Sequence, residues 1–207
     1  MKKLLHIIAT PRGEESSTLK VSAIFLDSFK KVHQDWTVDE LDLTKEKLPP
    51  MTIKRVDGKY ALLSGKDLSP DMQKAWKEIV VQIERFASAD AYLLSVPMWN
   101  FSIPYTLKHY MDVIIQPKYL FQYTANGPEG LLKNKKMVVI TSRGGDYSSA
   151  DAKKIDFQEP YLRFAFGFTG ITDITFINAE QMAFGEEAQK KSISTAQRMA
   201  RALAEKF

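Results

Sequence analysis

The chain contains no cysteine. That excludes disulfides, thiolate zinc sites and a thiol nucleophile. It also lacks any apolar run near the ~18 residues expected of a membrane span. The opening "MKKLLHIIATPRGEE" starts like a leader peptide, but its apolar run is short and turns charged from Arg12 to Glu15, so it reads as a strand. Neither "GxxxxGK(S/T)" nor "GxGxxG" occurs, so a nucleoside triphosphate or a Rossmann-bound dinucleotide is not indicated. There are three histidines, His6, His33 and His109, and none has the spacing of a metal site. His6 reads as a core residue inside a strand, and the other two as helix-face residues. A strong charge imbalance is missing as well: 29 basic against 25 acidic residues leave a net +4. The densest basic spots, Lys133, Lys135 and Lys136, and Lys190 and Lys191, read as solvated faces, not as a nucleic-acid surface.

What is present suits one soluble domain. Of 207 residues, 44% are apolar and 26% charged, enough for a sizeable core. No repeat, low-complexity segment or domain boundary interrupts residues 1–207. Leu4 to Ala9 is a compact apolar run followed by a polar loop, hence a buried strand. Thr18 to His33 carries a helical apolar pattern. Thr37 to Leu43 alternates, with an imperfect apolar phase, and suggests a strand near the sheet edge. Thr44 to Leu68 has little periodicity and reads as a long connection. Ser69 and Pro70 then make a good helix start: a capping hydroxyl, and a proline where its missing N–H costs nothing. Met72, Ala75, Trp76, Ile79, Val80, Ile83 and Ala87 follow on one helical face, which marks Trp76 as core. Further strands are expected at Ala91–Val96, Lys136–Thr141 and Ile174–Ala179. Helices are expected at Pro104–Gln116, Phe157–Phe168 and Glu186–Phe207, and a Gly/Pro-rich loop at Leu120–Lys135.

Strands alternating with helices imply an α/β fold: a five-stranded parallel sheet with helices on both faces, a three-layer sandwich. Five such strands suit the flavodoxin-like order 2-1-3-4-5, in which ligands bind beyond the carboxyl ends of the strands. That edge collects three loops. "TPRGEESST" brings Thr10, Arg12, Ser16, Ser17 and Thr18 to a helix N-terminus, a place for a phosphate or simply a helix cap. "PMWNFSIP" sets Met98, Trp99, Asn100 and Phe101 at a strand exit, either a corner of the core or a platform for a planar ring. "SRGGDYSS" can present consecutive backbone N–H groups at Gly144 and Gly145, where positive φ is allowed, or is a plain turn with Arg143 at the surface.

Four blocks in order, "PMWNFSIPYTLKHYMD", "FQYTANGPEGLL", "VVITSRGGDYS" and "PYLRFAFGFTGITDITFINAE", resemble the FMN-dependent NADH-azoreductases, also described as NADH:quinone oxidoreductases. The resemblance spans nearly the whole chain. It implies a flavodoxin-like fold, non-covalent FMN, NADH as electron donor with NADPH possible, and a cytoplasmic homodimer with active sites at the interface. Carried over by motif, Thr10, Ser16, Ser17 and Thr18 would hold the phosphate. Pro97, Met98, Trp99, Asn100 and Phe101 would line the isoalloxazine, and Ser142, Arg143, Gly144 and Gly145 its pyrimidine side. Trp99 stands where tyrosine is frequent in the family. Tyr123, Phe164 and Phe168 fall in segments resembling substrate-pocket walls. The implied reaction is a ping-pong reduction of small aromatic acceptors, quinones or azo compounds, with the flavin carrying the chemistry and no protein side chain expected as nucleophile or obligatory acid–base group. The rival reading is a flavodoxin-like electron carrier or regulator without its own NADH oxidation. The basic composition and the long 117–135 loop favour the enzyme.

Overall fold

The computed structural model covers Met1–Phe207 in full. The chain begins with strand β1 (Lys2–Ile8), a short 3-10 turn (Gly13–Glu15), helix α1 (Ser17–Val32) and β2 (Trp36–Asp42). It continues through α2 (Ile53–Leu63), α3 (Pro70–Ala87), β3 (Ala91–Pro97) and α4 (Tyr105–Ile114). A hairpin of β4 (Phe121–Thr124) and β5 (Gly127–Gly130) precedes β6 (Lys136–Ser142), α5 (Ala150–Lys153), α6 (Glu159–Phe168), β7 (Asp173–Ala179) and α7 (Glu186–Ala204). No helix is long and apolar enough to cross a membrane.

The main sheet is entirely parallel, ordered β2-β1-β3-β6-β7. Counting only its own strands, that is the expected 2-1-3-4-5. Its central strand β3 is buried along its whole length, and its side chains alternate between two cores. Tyr92, Leu94 and Val96 join α3, α4 and α6 on one face. Ala91 and Leu93 join Val21, Phe25 and Phe29 of α1 and Ala196, Ala200 and Ala204 of α7 on the other. Period-two alternation on a strand buried on both sides leaves no solvent-facing position, which is why the run is apolar apart from the hydrogen-bonded Ser95. β2 is at the edge. Its Leu41 enters the first core, while Glu40 and Asp42 line an open groove beside α1. That division accounts for the imperfect apolar phase.

Two parts differ from expectation. The stretch Thr44–Leu68 is not a plain connection, because it contains α2. The buried residues of this helix are Arg55, Gly58 and Leu62, so only one is apolar. Arg55 pairs with Glu78 and donates to the carbonyls of Ala75 and Pro50, both at 2.8 Å. The Trp76 indole N–H donates to the Arg55 carbonyl at 3.0 Å. Gly58 lies so close to this ring that a Cβ would come within 2.3 Å of its nitrogen. The 120–135 loop likewise contains the β4–β5 hairpin, antiparallel and separate from the main sheet. Its end packs backbone to backbone on the turn after α6, where a Cβ on Gly130 would meet the Gly170 nitrogen at 2.2 Å.

The histidines are structural. His6 is buried under α1 and bonds Ser95. His33 reaches the Ala204 carbonyl and His109 the Pro49 carbonyl, each at 3.1 Å.

Candidate functional site

A parallel sheet puts the carboxyl ends of β1, β3 and β6 on one edge, so the three loops must meet there. They enclose a crevice of about 200 Å³. Thr10, Ser16 and Ser17 come from the first loop, Pro97, Met98 and Trp99 from the second, and Ser142, Arg143 and Gly144 from the third. Arg12 joins them, and so do Met182 and Gln189, which the sequence reading did not single out. Met182 comes from the return loop after β7, where its N–H donates to the Arg143 carbonyl at 3.0 Å, and Gln189 from the start of α7. No local motif announces them. Thr18, Asn100, Phe101 and Gly145 lie behind or beside this lining rather than in it.

The first wall is a helix start rich in hydroxyls. Ser16 caps α1, its Oγ accepting from Leu19 N–H at 3.3 Å. Ser17 and Thr18 occupy the first turn, where N–H groups have no intrahelical acceptor and the helix dipole favours an anion. Neither N–H is taken up by another group. Thr10, Ser16, Ser17 and Thr18 are all buried. Thr18 Oγ1 lies 2.7 Å from Ser142 Oγ, which ties the first loop to the third. Below runs a polar relay: Ser22 Oγ donates to the Thr18 carbonyl at 3.0 Å and lies 2.7 Å from Ser95 Oγ, which is 2.8 Å from His6 Nε2.

The second wall is a strained corner. Trp99 and Ser102 exchange backbone hydrogen bonds of 3.0 and 2.9 Å around a two-residue turn. Both turn residues have positive φ, 47° at Asn100 and 68° at Phe101. These are the φ signs of a type I′ turn, which asparagine tolerates and phenylalanine does not favour. The turn leaves the N–H groups of Asn100 and Phe101 without acceptors. It also holds the Trp99 and Phe101 rings partly in solvent, at 37% and 52% exposure.

The third wall presents Gly144 and Gly145. Their carbonyls accept from Ala183 and Gln181, but their N–H groups are unengaged. Neither uses positive φ. What they contribute is amide N–H without a side chain beside it. Arg143 departs from expectation. It lines the crevice but is not a surface residue, and its guanidinium is engaged by carboxylates behind the loop. The side chain is buried and turned away, with Nη1 2.9 Å from Asp156 Oδ2 and Nε 3.2 Å from Gln158 Oε1. Glu180 and Glu159 stand at 3.5 and 3.6 Å. A guanidinium leaves water only where carboxylates compensate it, and three converge behind the loop. Burial nonetheless pushes the Glu180 carboxyl up from the usual range.

Larger hollows adjoin the crevice, one of about 430 Å³ behind Arg143 and two on the side of the first loop. An open groove of about 540 Å³ runs between α1 and β2. Its mouth mixes Glu14, Lys20, Glu40 and Lys45, and only Thr10 is shared with the crevice. Size does not make it the site, because Ser16, Ser17, Ser142 and Gly144, with its unengaged N–H, line the smaller crevice. The other hollow, about 450 Å³, lies across Trp99 and is bordered by Pro11, Leu48, Tyr105 and His109. Trp99 therefore walls both spaces. Tyr123, Phe164 and Phe168 lie outside the crevice. Tyr123 and Phe164 are exposed on β4 and α6, and Phe168 packs on Phe121 with ring centroids 4.6 Å apart.

These residues fit a phosphorylated, planar cofactor. Hydroxyls and free helix N–H groups suit the phosphate. Unengaged amides at Gly144, Gly145, Asn100 and Phe101 suit the polar rim of a ring, and Met98, Trp99 and Met182 its apolar part.

Known proteins agree with this reading. The family described as "Flavodoxin-like fold" matches residues 2–204. The chain is 40% identical to FMN-dependent NADH:quinone oxidoreductase 1 of Trichormus variabilis, over 94% of this chain and 91% of that one. It resembles the azoreductase structure from Bacillus anthracis strain Sterne, with a TM-score of 0.90 and 31% identity over 100% of both chains. It also resembles an FMN-dependent NADH-azoreductase of Bacillus anthracis strain Ames Ancestor in complex with FMN, with a TM-score of 0.85 and 30% identity, covering 99% of this chain and 100% of that one.

Proposed function

Because this chain belongs to the flavodoxin-like fold family and to the FMN-dependent NADH:quinone oxidoreductases within it, we propose that the crevice between the ends of β1, β3 and β6 is its FMN site. The protein is an FMN-dependent oxidoreductase that uses NADH to reduce quinones and azo compounds. The observation that carries the site assignment is the convergence of a hydroxyl-rich helix start with amide N–H groups that no protein acceptor uses.

When bound, FMN supplies the two-electron redox chemistry, taking a hydride equivalent from NADH and passing electrons to the acceptor. The chain's own residues bind and orient. Thr10, Ser17 and the first-turn N–H groups of α1, that of Thr18 among them, would hold the phosphate, and Ser16 keeps that turn formed. Met98, Trp99 and Phe101 support the ring. The main chain of Gly144 and Gly145, and Asn100 on the opposite wall, offer donors where negative charge collects on reduction. Arg143 acts behind the site. No acid–base side chain is required.

The active unit is a homodimer with the sites at its interface. The exposed Phe101, Phe157, Tyr123 and Phe164 are apolar side chains with no cover in the single chain; Phe101 and Phe157 adjoin the site, and Tyr123 and Phe164 stand outside the crevice on β4 and α6. A second copy would supply acceptor-pocket walls from them. The location is the cytoplasm. NADPH can replace NADH only if the surface beside the crevice accommodates its extra phosphate.

The decisive experiment is steady-state kinetics of the FMN-loaded protein, varying NADH and a quinone. Parallel double-reciprocal lines are expected, and intersecting lines would refute the ping-pong order. A colourless protein that cannot be loaded with FMN would refute the cofactor assignment. NADH consumption that requires an added acceptor separates the enzyme from an electron carrier without its own NADH oxidation.

A further inference from the structure

Three consecutive residues ahead of α6 each bind a different part of the crevice wall from behind. Asp156 Oδ2 accepts from Arg143 at 2.9 Å, while its Oδ1 accepts from the N–H groups of Gln158 and Glu159 at 2.9 and 3.0 Å. One carboxylate thus caps α6 and anchors the arginine of the third loop. Phe157 works through its main chain. Its N–H donates to the Phe101 carbonyl at 3.0 Å, and its carbonyl accepts from Ser102 Oγ at 3.4 Å. Gln158 works through both ends of its amide. Oε1 accepts from Arg143 Nε at 3.2 Å, and Nε2 donates to the Pro97 carbonyl at 2.9 Å.

Pro97 and Ser142 are the last residues of β3 and β6 and lie side by side in the sheet. One fully buried amide therefore bridges the exits of the two strands that form opposite walls of the crevice. The group suits the task. Arg143 Nε needs an acceptor and the Pro97 carbonyl needs a donor, and among side chains of this length only glutamine offers both. A glutamate would satisfy the arginine and face the carbonyl with a second acceptor. The Phe157 tie falls on Phe101, the turn residue least suited to its own backbone, where local preference does not hold the conformation and an external bond must.

We infer that Asp156–Phe157–Gln158 is a positioning clamp for the cofactor, with Gln158 at its centre: it sets the spacing of the β3 and β6 loops and joins both to the start of α6. This rests on the crevice being the FMN site. None of the three lines the crevice, so they act through Pro97, Phe101 and Arg143.

The test compares Gln158→Met and Gln158→Glu with Ile79→Ala, a core change on α3 far from these ties. The full-length variants are titrated with FMN by flavin fluorescence, and the flavin midpoint potential and melting temperature are measured on the loaded proteins. Losing a buried bond while stranding its partners should raise the FMN Kd about tenfold or more in both Gln158 variants. Their flavin potential should shift as well, since the donors around the ring are displaced. Ile79→Ala should lower the melting temperature and leave FMN Kd and potential near the parent's. Gln158 variants that bind FMN like the parent, or an Ile79→Ala protein that loses as much FMN affinity at equal loss of melting temperature, would overturn the clamp. Should Gln158→Met not fold, Gln158→Glu, which keeps the arginine bond, decides by the same criterion. A parent protein that takes up no FMN refutes the site assignment instead, which keeps the two failures apart.

Discussion

His6 makes the stability of this fold depend on acid in a calculable way. It is 2% exposed under α1, in the relay that ends at the Thr18 carbonyl. Ser22 spends its proton on that carbonyl, so Ser95 must give its own to Ser22, and His6 Nε2 must then be the donor to Ser95. That leaves Nδ1 as a bare, buried nitrogen without a partner. Burial is the largest cause holding the imidazole down to about 4, with Lys30 adding to it. The folded pKa is below the unfolded value of about 6.5, so between the two the unfolded chain binds a proton that the folded chain refuses. Stability is full above the unfolded pKa and falls as pH drops toward the folded one. From about pH 7 to about pH 4.5 the loss from this one residue is about 2 kcal/mol. Urea unfolding with saturating FMN, at both pH values, on the parent and His6→Gln isolates it. Glutamine keeps a donor for Ser95 but cannot titrate, and other acid-sensitive groups cancel in the difference. The parent should lose about 2 kcal/mol more than the variant. Equal losses in the two proteins would show that His6 is not a buried neutral imidazole, and the proton assignment along the relay would go with it.

Other consequences are checkable by simpler means. Ser17→Ala should weaken FMN about tenfold, through a lost bond to a charged phosphate, and leave riboflavin affinity unchanged; equal loss for both ligands would move the phosphate elsewhere. Asn100→Ala puts a Cβ residue with no compensating polar side chain at φ 47°. It should impair flavin binding or reduction more than His109→Ala, whose ring bonds Pro49 away from the turn, and stopped-flow reduction by NADH with equal effects would undo the corner's assignment. Gly130→Ala forces a Cβ to 2.2 Å from the Gly170 nitrogen, so denaturant unfolding should show a loss of about 3 kcal/mol or more; a neutral result would mean the hairpin does not pack on that turn.

How much of this was legible in the chain depended on how local each cause is. The start of α3 was, because Ser69 and Pro70 act within one turn, and Ser69 Oγ does accept from Met72 N–H at 3.3 Å. The five sheet strands were, because four are short apolar runs between turn-forming residues and the edge strand β2 still alternates. The three loops were, because parallel topology leaves them only one edge to occupy. α2 was not. An arginine is its most polar buried residue, and Glu78 and the Ala75 carbonyl on α3, with the nearby Pro50 carbonyl, make that position inward. The β4–β5 hairpin was not, because "GPEG" has no alternation to detect and its glycine answers to a backbone far along the chain. Met182 and Gln189 were not, because they reach the crevice only through the return loop after β7 and the start of α7.

Arg143 is the sharpest case, and it changes how the site is understood. Beside two glycines, an arginine reads as a ligand contact or as a solvated side chain. Both readings assume that it stays where water or a ligand can reach it. Burying it costs several kcal/mol unless it is paired and bonded, so its direction is set by whatever can compensate it. Asp156, Glu159 and Glu180 do so from two other segments, the approach to α6 and the loop after β7. The third loop is thereby held from behind by charge, while its front keeps only small, neutral amide donors. Reduced flavin gains negative charge, and a guanidinium placed directly against it would fix that charge strongly. With FMN in the proposed site, an arginine paired with three carboxylates would leave the ring to backbone dipoles, which would stabilise the reduced form less than a guanidinium in contact with it.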